Sequence, residues 1–234
     1  IYKPRKKFSH KGNFGHAALL CGSYGMMGAA VLSANACLRS GVGKLTSYIP
    51  KCGYDILQTL VPEAMCVIGG EDFILSADGT EKYDAIGIGP GIGLHPSHAA
   101  LLSGIFKEAN KPMVIDADAL NIIAQNAVLL KSITASSILT PHPKEFERLF
   151  GKTENNFERL QLALKKSKEL NIYIVLKGHF SFISTPEGLG YLNSSGNAGM
   201  APAGSGALLK GLITGLLAQG CSPLQAGLLV VSSQ

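Results

Sequence analysis

Six stretches of this 234-residue chain combine residue types that can do chemistry. Gly22-Ser23-Tyr24-Gly25-Met26-Met27-Gly28-Ala29-Ala30 follows an apolar run and opens a helical pattern. Small residues let backbone N–H groups approach a phosphate or a ring, and a helix N-terminus favours an anion. The spacing is not G-x-G-x-x-G, and no acidic residue follows where a ribose would need one. A tight strand-to-helix turn explains the same glycines. Gly87-Ile88-Gly89-Pro90-Gly91-Ile92-Gly93 ends a second apolar run, with room for a flat or charged ligand or for a crowding neighbour.

Asp116-Ala117-Asp118 sets two carboxylates at a strand end. Residues two apart point the same way while a strand continues, and such a pair could hold a hydrated Mg²⁺ or polarise a water. Asp118 as a helix cap is the competing use. In Thr140-Pro141-His142-Pro143-Lys144-Glu145, two prolines stiffen the loop around one histidine. His142 is then either a held functional group or a structural one, and Glu145 either a Mg²⁺ ligand or a first-turn helix carboxylate. His95 and His98 have no metal partners nearby in sequence and read as surface residues. Lys177-Gly178-His179 ends another strand, where a lysine neutralises a phosphate. A polar, Gly-rich loop over 193–201 then leads to Gly204-Ser205-Gly206 at the head of a long apolar helix. Amides converging there form an anion hole suited to a phosphoryl group.

Alternating strands and helices must position these stretches. Apolar runs at 17–21, 44–49, 64–68, 84–88, 112–115, 137–139 and 172–176 read as strands, with a hairpin formed by 181–184 and 190–192. Helical patterns cover about 29–39, 96–109, 156–170, 204–219 and 223–231. The 156–170 helix is amphipathic, with Phe157, Leu160, Leu164 and Leu170 on one side. The order predicts one α/β domain over 1–234, a central mostly parallel sheet with helices on both faces. Ligands of such sheets sit beyond the carboxyl ends of the strands, where the glycine and polar clusters fall.

Composition narrows the function classes. Apolar residues make up 46% and charged residues 16%, which excludes wholesale disorder. The five cysteines are odd in number and scattered, so they are expected to be reduced and to serve as small hydrophobes. Net charge is +5, with eight cations and no acid before Asp55. That basic start lacks interleaved aromatics, which argues for a solvated face or an anionic small molecule rather than nucleic acid. The uncharged run 17–38 is broken by Gly22, Gly25 and Gly28 and followed through by Asn35, against a membrane span. No signal-peptide pattern is present. The chain opens on Ile1 and stops at Gln234 inside an apolar run, so more sequence is expected on both sides.

Taken in order, Ser9-His10-Lys11-Gly12, Gly15, Gly22-Ser23, Gly28-Ala29-Ala30, Arg39-Ser40-Gly41, Gly89-Pro90-Gly91, Asp116-Ala117-Asp118-Ala119-Leu120, Leu139-Thr140-Pro141-His142-Pro143, Leu176-Lys177-Gly178 and Gly196-Asn197 resemble the ADP/ATP-dependent NAD(P)H-hydrate dehydratases. The resemblance runs along about the whole chain and implies a ribokinase-like fold. It implies repair of hydrated NADH or NADPH: a nucleotide phosphorylates the added hydroxyl, phosphate leaves, and the dihydronicotinamide is restored. Mg²⁺ serves the nucleotide, which is ADP in bacterial members and ATP in animal and fungal ones. Ala29 or Ala30, Gly91, His142 and Asn121 are then expected to line the dinucleotide. Lys177, Gly178, His179, Phe180, Ser181 and Gly206 would hold the adenylate part of ADP, with Asp116 and Glu145 as candidate Mg²⁺ ligands.

The family's general base is an aspartate directly after the G-[TS]-G turn, and here Gly204-Ser205-Gly206 is followed by Ala207, which accepts no proton. Lys144 stands where the family usually has glycine. The resemblance further implies a cytoplasmic homotetramer and a fused or separate NAD(P)H-hydrate epimerase, with Pro4-Arg5-Lys6-Lys7 similar to a linker. Two rivals remain open: a ribokinase-like kinase of a small hydroxylated metabolite, and a member that binds nucleotide without turning it over.

Overall fold

The structure is a computed structural model that describes residues 8–178, 180–193 and 204–232. Its strands are β1 (His16–Leu20), β2 (Lys44–Ile49), β3 (Met65–Ile68), β4 (Ala85–Ile88), β5 (Met113–Ile115), β6 (Ile138–Leu139), β7 (Tyr173–Leu176), β8 (Phe182–Ser184) and β9 (Gly190–Leu192). They form one sheet in the order β3-β2-β1-β4-β5-β6-β7-β8-β9. Pairing is parallel from β3 through β7 and antiparallel from β7 through β9. The chain runs outward from β1 to β3, then returns to lay β4 on the other side of β1. That reversal makes the β1/β4 boundary the topological switch point. This is the central, mostly parallel sheet with helices on both faces that the sequence predicts.

The apolar runs of β1, β2 and β4 to β7 are continuous because both faces of the sheet are covered there, whereas the edge strand β3 leaves Met65, Val67 and Ile68 exposed. Ala18, Leu20, Ile86 and Ile88 join one core under α3 (His98–Glu108), α4 (Asp118–Gln125), α5 (Ala127–Leu130), α6 (Pro143–Phe150) and α7 (Asn156–Leu170). The alternate residues Ala17, Leu19 and Ala85 join a second core under α1 (Met27–Arg39), α2 (Tyr54–Leu60), α8 (Ser205–Ala218) and α9 (Pro223–Ser232). Expected elements appear with ends shifted by a residue or two, while α2, α4, α5 and α6 are not among the expected helices, the starts of α4 and α6 being foreshadowed only as alternative uses of Asp118 and Glu145. One assignment is corrected: Phe157 is 70% exposed, and the buried stripe of α7 starts a turn later, at Leu160. No helix among the described residues is long and apolar enough to cross a membrane.

Helix α8 packs on α1 through glycine. A Cβ on Gly211 would overlap the Ser33 carbonyl oxygen, and one on Gly215 would lie 2.8 Å from the Cys37 carbonyl oxygen. The close approach lets Ser33 Oγ donate to the Ala207 carbonyl at 3.1 Å. Helix propensity alone makes Gly211→Ala stabilising by about 1 kcal/mol. The overlap with fixed backbone reverses that sign. We expect Gly211→Ala to destabilise by about 1–3 kcal/mol in urea unfolding, and a gain in stability would show that the helices can part freely.

Candidate active site

Two glycine loops meet at the switch point. Gly22 N–H donates to the Pro90 carbonyl at 3.0 Å, and Gly89 N–H donates to the Leu20 carbonyl at 3.1 Å. Gly91 has φ +70°, and a Cβ there would lie 3.0 Å from both the Ala29 Cβ and the Met26 carbonyl oxygen. Glycine is what lets this loop rest on the first turn of α1. The structure also chooses between the neighbouring alanines. Ala29 is half-buried beside Gly91, whereas Ala30 is 2% exposed and packs into the core.

A charged cluster lies beyond β5, β6 and β7. Asp116, 1% exposed, accepts from Lys177 Nζ at 2.7 Å through Oδ1. Glu145 Oε2 stands 4.0 Å from the same ammonium. Glu145 also closes a capping box on α6. Its Oε2 accepts from His142 N–H at 2.9 Å, while His142 Nδ1 accepts from the Lys144 and Glu145 amides at 3.1 and 3.2 Å. Proline at the first helical position completes this start. His142 is thereby held by its own helix, with Nε2 3.4 Å from Glu145 Oε1. The first turn of α8 abuts the cluster: a Cβ on Gly206 would lie 3.3 Å from both Asp116 Oδ2 and Lys177 Nζ. A lysine ammonium, a helix N-terminus and two carboxylates thus converge, an arrangement that can bind and orient a phosphoryl group together with its counter-ion.

The structure corrects the expectations for the Asp116–Asp118 pair, for Asp118 as a cap and for His95 and His98, and it places the remaining candidates. Asp116 and Asp118 do not act as a pair, because the strand ends at Ile115 and Ala117 turns the chain at φ 50°. Asp118 does not cap α4; its Oδ2 accepts from Gly93 N–H at 2.9 Å. His98 is not a surface residue but fully buried, with Nδ1 3.0 Å from the Gly93 carbonyl oxygen, and His95 is half-buried. Burial pushes the His98 pKa below its ordinary 6.5, against the favourable influence of the Gly93 hydrogen bond. Asn121 is half-buried and accepts from Arg148 Nη1 at 2.7 Å. Gly178 and Phe180 are exposed and Ser181 is buried. Gly204, at φ +101°, and Ser205 are half-buried. His179, Gly196 and Asn197 lie outside the described residues. Among the described residues no group of three His, Cys, Asp or Glu side chains could hold a metal, and Asp116 Oδ1 is engaged by Lys177.

Other features went unread in the sequence. Lys210 is fully buried, and its Nζ donates to Cys21 Sγ at the end of β1. Its signal was a single charge inside a 14-residue apolar helix. Ser23 Oγ and Thr140 Oγ1, at the ends of β1 and β6, are buried without hydrogen-bond partners among the described residues. Ala207 is 5% exposed, and its position offers a methyl group.

A family model described as NAD(P)H-hydrate dehydratase matches residues 17–233. The chain is 38% identical over 234 residues to the ADP-dependent (S)-NAD(P)H-hydrate dehydratase of Neisseria meningitidis, covering 97% of this chain and 77% of that one. It is 37% identical to the bifunctional NAD(P)H-hydrate repair enzyme of Moorella thermoacetica, over 94% of this chain, but spans only 44% of that relative's length. Among solved structures, the Bacillus subtilis ADP/ATP-dependent NAD(P)H-hydrate dehydratase co-crystallised with ATP and Mg²⁺ superposes with a TM-score of 0.82 at 33% identity, covering 98% of this chain and 81% of that one. A phosphomethylpyrimidine kinase from Clostridium difficile shares the fold at a TM-score of 0.61 and 16% identity, with 92% of this chain and 96% of that one covered.

Two measurements check the electrostatics. Lys177→Met leaves Asp116 buried without its cation, so we expect a loss of about 3–5 kcal/mol in urea unfolding, largely recovered by adding Asp116→Asn. For His98 the folded pKa lies below the unfolded one, so the unfolded chain takes up the proton first. Stability is therefore complete above the ordinary value of 6.5 and declines as pH falls below it. His98→Gln is expected to flatten that decline, leaving the part due to His16, whose pKa is lowered in the same direction by burial.

Proposed function

The chain belongs to the NAD(P)H-hydrate dehydratase family, and on that premise we propose that it binds a hydrated NADH or NADPH at the β1/β4 loops and ADP at the Lys177 side. In this reading ADP transfers its β-phosphoryl group to the added hydroxyl and becomes AMP, and loss of the phosphate together with a proton from the neighbouring ring carbon restores the dihydronicotinamide. One observation carries it: the Gly206 turn of α8 meets the Lys177–Asp116 pair at the same strand ends as the Gly91–Ala29 contact. ADP is favoured over ATP by the names of the bacterial relatives.

Each group has a physical task. Gly91 and Ala29 offer a surface without protruding side chains, against which a flat ring can lie. His142, fixed by its capping box, lines the same site from α6. Lys177 neutralises phosphate oxygen, and the α8 amides stabilise charge on the phosphoryl group in flight. Gly178, Phe180 and Ser181 extend this side along the nucleotide. Magnesium, when bound, would neutralise the transferred phosphoryl. The nucleotide's phosphates would hold it, with Asp116 Oδ2 and Glu145 toward its water shell, as suits an ion that keeps several waters.

Position 207 limits the rate. An aspartate there would take the substrate hydroxyl proton, and alanine does not, so binding persists while turnover is slow. We place the activity in the cytoplasm, where five free cysteines stay reduced. A homotetramer and a fused or separate epimerase accompany it in this reading, the latter supported by bifunctional relatives.

The test is an assay of NADPH-hydrate with ADP and with ATP, following the absorbance of restored NADPH. We expect Ala207→Asp to raise the rate by about 10²–10⁴-fold, the usual contribution of a general base. Calorimetry should give ADP affinities for the two proteins within about threefold, since Lys177 and the helix amides are unchanged. Rapid turnover with Ala207 in place would assign the proton to another group, and no gain with aspartate would overturn the substrate reading.

A further inference from the structure

Gly93 is gripped on both sides of its own backbone. Its N–H donates to Asp118 Oδ2 at 2.9 Å, and its carbonyl oxygen lies 3.0 Å from His98 Nδ1. The grip on the carbonyl is made by the tautomer that carries the proton on Nδ1, and in that tautomer the His95 amide, 3.2 Å away, does not donate to it. Gly93 has φ +79°, and a Cβ on it would lie 3.0 Å from the Phe73 ring, so the loop is pressed onto that ring. Ile92 plugs the core at 1% exposure, and its N–H donates to the Gly89 carbonyl at 3.2 Å. With Gly93 held and Ile92 inserted, little freedom is left to Gly91. It stands where a single extra carbon would strike Ala29.

We propose that Asp118 and His98 are positioning residues that fix the Gly91 loop against α1 and thereby set the affinity for the dinucleotide, without touching the ligand. The inference rests on the reading of Gly91 as a dinucleotide contact. The two residues arrive from different helices, the first turns of α4 and α3. Neither takes part in the hydrogen bonds of the Lys177–Asp116–Glu145 cluster, so their influence should fall on one ligand and spare the other. The grip also accounts for a carboxylate that does not cap its own helix and for a histidine buried beside glycines.

The experiment titrates the intact chain with NADPH and, separately, with ADP, and follows amide exchange at Gly93. Asp118→Ala should weaken NADPH binding by about tenfold, the usual scale for a lost charge-assisted hydrogen bond. It should leave ADP binding within about twofold and speed exchange of the Gly93 amide. Asp118→Asn keeps an acceptor oxygen and should stay near the parent in all three measurements. His98→Leu should reproduce the selective NADPH loss. Equal weakening of both ligands, or unchanged NADPH binding in Asp118→Ala, would overturn the proposal. If the parent binds ADP but not NADPH, the dinucleotide reading fails instead. The grip itself is then decided by exchange, and an unaltered Gly93 amide in Asp118→Ala overturns that too.

Discussion

One ammonium group ties the carboxyl end of the sheet together. Lys177 follows β7, Asp116 follows β5, and Glu145 opens the helix after β6, so three neighbouring strands each send a charged residue to a single point. Asp116 is almost wholly removed from water and costs several kcal/mol to bury without a partner. The lysine offsets that cost only from its present position, which fixes the strand ends relative to one another. Gly206 completes the arrangement by lacking a side chain, so that the start of α8 can come against the pair. Charge, strand order and one missing Cβ are a single constraint here.

Much of this was legible in the sequence because the causes are local. Uninterrupted apolar runs mark strands, and of the two uses that the sequence left open for Glu145, the first-turn helix carboxylate is the one seen in the capping box of α6. The glycine loops, Lys177 and His142 were legible for the same reason: each sits at an element boundary with a recognisable residue pattern. What escaped the sequence depends on partners far along the chain. Asp118 bonds Gly93, 25 residues away, and Lys210 reaches Cys21, 189 residues away. No window of neighbouring residues contains those pairs. His98 was misread because histidine alone does not reveal its burial, and Phe157 because a helical stripe does not show where the sheet beneath it ends.

The head of α8 brings together two departures from a simple anion site. Position 207 contributes no carboxylate, while Lys210, less than a turn further on, is a buried cation whose amine meets a thiol rather than an acid. The methyl group at 207 leaves the helix end without the negative charge that a carboxylate would bring there.

The packing of α8 on α1 also bears on how the protein is made. The apolar face of α1 is complete once residue 39 has been synthesised, yet the helix that covers it ends at residue 218. A nascent chain therefore carries Ala30, Ala34 and Cys37 without their α8 partners until it has grown from residue 39 to residue 218. Contacts of such long sequence separation form slowly, and exposed apolar surface in the meantime invites association. The glycine seam that seats the two helices so closely thus leaves the first helix without its cover until residue 218 has left the ribosome.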